Sequence, residues 1–176
     1  MADIKLDGLT VASSSGSPTA LALRDIPAIR LRLKPSSESS TRVSLSNSYQ
    51  SITFEENIIY SNCASVSGSV YTLNQSGLYL INLSCTFVDE DDGSNDAERY
   101  AACVLLLNGT VVAQANDQIS INDSSPNNYG GASLSYVSIL SKNDTLEIKA
   151  ATGAGGTGQL LASTHGNIIC LNANQT

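Results

Sequence analysis

The chain has 176 residues and a mass of 18.4 kDa, enough for one domain whose core needs no disulfide or metal staple. Charged residues are only 14% of it, while Ser, Thr and Asn make up nearly a third, a composition poor in helix formers and rich in turn formers. A net charge of −7 argues against a nucleic-acid-binding surface, and no apolar run is long enough to span a membrane.

Met1–Asp7 lack the basic start and apolar stretch of a secretory signal, so the expected site of synthesis is a cytoplasm. Charge divides the chain unevenly. Residues 1–42 carry six basic side chains against four acidic ones, and residues 43–176 carry three against twelve. Two turn-like stretches, Ser13–Pro18 and Pro35–Ser40, bracket an apolar and basic segment. Within it, Ile29-Arg30-Leu31-Arg32-Leu33 alternates with period two, as an extended half-buried strand does, and Pro27 forbids a helix through it. The expected organisation is an extended N-terminal anchoring arm over residues 1–42, followed by one domain over residues 43–176. Ile26, Ile29, Leu31 and Leu33 are the apolar anchors of that arm, and Arg24, Arg30 and Arg32 its polar contacts. The other reading of the same segment is an ordinary strand folded back on its own sandwich.

From residue 43 the pattern is a train of strands separated by Gly, Asn and Asp turns. Gln50–Phe54 and Asn57–Tyr60 are short candidates, and Val70–Leu73 leads through a turn ending at Gly77 into the clearest strand, Leu78–Phe87. There Tyr79, Ile81, Leu83, Cys85 and Phe87 share one face, opposite Asn82, Ser84 and Thr86. Tyr100–Leu107 is apolar on both faces, which calls for a second partner surface. Asn108-Gly109 signals a type I′ hairpin returning through Thr110–Ala115. Leu134–Leu140, Thr145–Ala150 and Ile168–Leu171 complete at least eight strands. The fold class is all-β, an antiparallel jelly-roll sandwich.

Signals for chemistry are few. Cys63, Cys85, Cys103 and Cys170 show no CxxC spacing, and one histidine cannot complete a zinc site of the usual type; buried free thiols are expected. His165 sits in a polar turn, Ser163–Gly166, without a nucleophile elbow. The glycine run Gly153–Gly158 has no following Lys-Ser/Thr and is a loop, not a phosphate cradle. Asp89, Asp91, Asp92 and Asp96 are oxygen ligands of the type calcium takes, but EF-hand spacing fails around Gly93, and a solvated loop is the expected reading. No enzymatic activity and no cofactor are expected.

The succession Gly77-x-Tyr79, Asn108-Gly109, Asn143-Asp144 and Gly166 before Ile168–Leu171 resembles the jelly roll shared by complement globular heads and tumour necrosis factor (TNF) ligands. That resemblance covers residues 43–175 and implies a homotrimer. The doubly apolar strand would supply its interface through Tyr100, Ala102, Val104 and Leu106, joined by Tyr79 and Tyr136. Together with the arm and the missing signal, the resemblance implies a trimeric capsid decoration or cement protein of a bacteriophage virion. Such a protein is made in the host cytoplasm and pinned to the major capsid protein by its arm, with no nucleic-acid or membrane partner. The alternatives are a receptor- or glycan-binding fibre knob and a secreted complement- or TNF-like ligand.

Overall fold

The computed structural model describes residues 3–6, 9–13, 26–33, 42–60, 62–90, 99–119, 127–153 and 157–173, and every regular element among them is a β-strand. Strands β1 (Asp3–Leu6) and β2 (Leu9–Ser13) form a separate antiparallel pair. The rest build two facing antiparallel sheets. One runs β11 (Thr110–Ile119), β10 (Arg99–Leu107), β13 (Thr145–Thr152), β8 (Val70–Leu73) and β7 (Ala64–Ser67), with the short β5 (Gln50–Ser51) also paired to β13. The other runs β4 (Arg42–Ser44), β14 (Thr157–Leu161), β9 (Gly77–Glu90), β15 (His165–Ala173), β3 (Ala28–Arg32) and β6 (Glu56–Tyr60), with β12 (Asn127–Leu140) along the free side of β9.

Alternation decides what each strand buries. Tyr79, Ile81, Leu83, Cys85 and Phe87 all point from β9 into the space between the sheets, as their period-two pattern requires. Ala101, Cys103 and Leu105 of β10 and Leu146, Ile148 and Ala150 of β13 meet them from the other layer. Tyr71 is buried with its hydroxyl donating to Asn57 Oδ1 at 2.9 Å, and burial raises its ionisation above the usual tyrosine range.

Turn chemistry follows the residues. Asn108 and Gly109 both have positive φ (50° and 79°), the backbone a two-residue I′ hairpin needs. Asn143, φ 73°, bends the chain between β12 and β13. The two turns are tied together: Asn108 Nδ2 donates to Asp144 Oδ1 at 2.8 Å, and Thr145 N donates to Asn108 Oδ1 at 2.9 Å.

The segment expected as an arm is otherwise placed. Strand β3 lies inside the seven-stranded sheet, hydrogen-bonded to β15 on one side and β6 on the other. Ile29, Leu31 and Leu33 are core residues, while Arg30 and Arg32 are on the opposite face, and Ile26 is partly exposed just before the strand. The alternation of apolar and basic residues is therefore that of a sheet strand with one dry face, not of a free anchor. Arg24 and residues 14–23 and 34–41 lie outside the described residues. The Gln50–Phe54 candidate is a strand only over β5, but Ile52 and Phe54 are buried, and Ile52 N donates to Ile148 O at 2.9 Å.

Truncating Leu31 to Ala should therefore cost about 2–5 kcal/mol in urea unfolding, as for other fully buried leucines. A loss within about 0.5 kcal/mol, the behaviour of a surface position, would contradict this placement.

Candidate functional site

The outward face of the seven-stranded sheet is assembled from alternate residues of β9, β12, β15 and β3, and register sets them in rows. Leu80 lies between Val137 and Ile169, and Leu78 lies beside Ile139. A bulge between Cys170 and Asn172 leaves Leu171 half exposed at the same end. These residues make an uncharged apolar band in which Ile139 is 81% exposed and Val137 58%. Isolated exposed apolar side chains are ordinary, but a contiguous row of them marks an interaction surface.

Farther along the same strands the face turns polar. Asn82 lies between Ser135 and Asn167, and Ser84 between Ser133 and His165. Together with Gly166 these six line a shallow groove of about 250 Å³. Ser135 Oγ donates to Asn82 Oδ1 at 2.7 Å, and the Ser133 and Ser84 hydroxyls are 3.4 Å apart. Arg30 and Arg32 follow in register beyond Asn167 and His165.

The groove's outer wall depends on how β15 starts. Thr164 is fully buried; its hydroxyl accepts the Thr86 N–H at 3.1 Å and its carbonyl accepts the Leu33 N–H at 2.9 Å, fastening the turn to β9 and to the end of β3. Gly166 then passes so near β9 that a Cβ there would be 2.7 Å from the Asn82 carbonyl oxygen. His165 Nδ1 lies 2.8 Å from the Ser163 carbonyl. A carbonyl only accepts, so Nδ1 carries the hydrogen, and the neutral ring keeps Nε2 as its acceptor. In a serine triad Nδ1 would donate to a carboxylate instead.

The residues expected at a trimer interface are scattered. Tyr79 is wholly interior, its hydroxyl donating to Gln75 O at 2.8 Å, and Tyr136 packs against the core. Ala102, Val104 and Leu106 lie on the outer side of β10, yet each is already buried within one chain; Val104 sits in register between Gln114 and Lys149. Tyr100 is the exposed member, beside Gly153. For calcium, the side chain of Asp89 and the whole of Asp91, Asp92 and Asp96 lie outside the described residues. Among the described residues no three His, Cys, Asp or Glu side chains cluster as a metal site, and no helix is long and apolar enough to cross a membrane.

This two-layered arrangement is that of the TNF jelly roll. Murine APRIL at pH 5.0 superimposes with a TM-score of 0.56 over 83% of this chain and 99% of its own, at 12% identity. The Eiger TNF structure from S. frugiperda gives 0.55 over 86% and 96%, at 14% identity. At such identities the likeness is one of fold. No protein-family model and no curated protein matches the chain.

Gly166→Ala should destabilise the domain by about 1–3 kcal/mol, because the added methyl meets backbone that has no room to yield. Urea unfolding of the variant checks this, and an unchanged midpoint would show that β15 can stand off from β9.

Proposed function

We propose that the chain is a non-catalytic recognition module that works as a homotrimer, its copies packed through the apolar band of the seven-stranded sheet. One observation carries the reading. The most exposed large hydrophobic side chain of the described residues, Ile139, belongs to a continuous row with Val137, Leu171 and the half-buried Leu78, Leu80 and Ile169. A second copy would withdraw this area from water at roughly 25 cal/mol per Å². The TNF-like fold and the homotrimer implied by the sequence resemblance agree with it.

The groove supports binding more readily than catalysis. It offers amides, hydroxyls and one imidazole whose Nδ1 is held by a backbone carbonyl, with Arg30 and Arg32 at its margin. Attachment to a capsid through a free N-terminal arm loses its basis, because Ile29, Leu31 and Leu33 are committed to the chain's own core. A TNF-like trimeric ligand or knob needs no such arm, and recognition would fall to the loops and grooves at its periphery.

Light scattering should report about 55 kDa, three times the 18.4 kDa chain. Ile139→Glu should give a folded monomer, since the side chain is exposed in one copy and only the interface would bury the charge, and its melting temperature should fall below that of the trimer because the stabilisation by assembly is lost. A wild-type monomer at micromolar concentration would overturn the proposal.

A further inference from the structure

All four cysteines are buried and carry free thiols, but they are not equivalent. Cys85 points inward from β9 and Cys103 inward from β10, so they approach each other from opposite layers of the sandwich. Cys103 Sγ reaches to within 3.9 Å of the carbonyl of Ala132, the residue paired in register with Cys85. The two thiols are near enough to shift each other's ionisation, Cys85 upward and Cys103 downward. Cys63 and Cys170 also neighbour one another, but there the Tyr79 hydroxyl lies beside both thiols.

We propose that Cys85 and Cys103 are a disulfide site, closed when the chain folds under oxidising conditions, and that Cys63 and Cys170 stay reduced. Cysteines facing each other across the layers of a sandwich are within bridging reach in other folds of this architecture. At the other pair a tyrosine hydroxyl stands in contact with both.

With oxidised glutathione as the oxidant, the Cys103 thiolate attacks one glutathione sulfur, the glutathione S–S bond breaks, and one glutathione leaves as thiol after taking up a proton. Cys85 then attacks the Cys103 sulfur of the mixed disulfide and releases the second glutathione. Two cysteine thiols are oxidised to one disulfide, and one glutathione disulfide is reduced to two thiols. The order of attack can equally be reversed, with the same balance. Neither sulfur is exposed in the finished fold, so the exchange belongs to the folding chain.

The test is refolding of the full, reduced chain in a buffer of reduced and oxidised glutathione. Unfolding in denaturant with iodoacetamide and mass measurement without reductant then follow. The expected product carries one intrachain disulfide and two alkylated cysteines, with peptide mapping joining Cys85 to Cys103. A Cys63→Ala/Cys170→Ala variant should retain the bond and Cys85→Ala should lose it. Four alkylated cysteines in the wild type, a Cys63–Cys170 bond, or chains linked to one another would overturn the proposal. The readout is the bond itself, within one chain, so it stands or falls independently of trimer formation.

Discussion

Strand β9 is hydrogen-bonded along both edges for most of its fourteen residues, to β12 on one side and to β15 and then β14 on the other. Its register therefore decides the position of nearly every other element in its sheet. The side-chain period of a strand is two, so a slip of one residue would send Tyr79, Ile81, Leu83, Cys85 and Phe87 into water and Leu80, Asn82 and Ser84 into the core. The inward set packs into the core between the two layers of this aromatic-poor chain. The outward set supplies the surface on which both the apolar band and the groove stand. Core and site are thus two readouts of one alternation.

That alternation is also why so much could be read locally. The inward residues of β9, the two apolar faces of β10, and the Asn108-Gly109 turn each announce themselves within ten residues or fewer. The placement of β3 did not. Its pattern was read correctly as extended and half-buried, but polar stretches on both sides isolate it along the chain, and its partners β15 and β6 are chosen by topology rather than by sequence proximity. The groove was invisible for the same reason. Asn82, Ser84, Ser133, Ser135, His165 and Asn167 come from three strands, and on each strand alone they are unremarkable outward polar residues. The apolar band left one faint local trace: in Tyr136–Leu140, apolar residues fall on both faces, with Val137 and Ile139 outward and Tyr136 and Leu140 inward.

Ala102, Val104 and Leu106, on the second apolar face of β10, are buried within one chain, in register with neighbours such as Gln114, Lys149 and Glu147. A central strand can therefore be apolar on both faces without offering either to another chain. An end-of-sheet strand is different. Among the described residues β12 pairs with β9 alone, so Val137 and Ile139 lack a flanking row on one side and stay open.

The pairing of β3 with β15 has a consequence for synthesis. Ile29 is opposite Ile168 and Leu31 opposite Gly166, so the interior of this sheet joins the first part of the chain to the last. Contacts so distant along the sequence make for slow folding, because the loop-closure entropy is lost before the packing is gained. On the ribosome, β3 emerges well before β15 and waits for it. Over that interval Ile29, Leu31 and Leu33 would be an apolar strand without its final neighbour, and the nascent chain is aggregation-prone until β15 arrives. The basic Arg30 and Arg32, spaced between those residues, act there as gatekeepers against pairing with other chains.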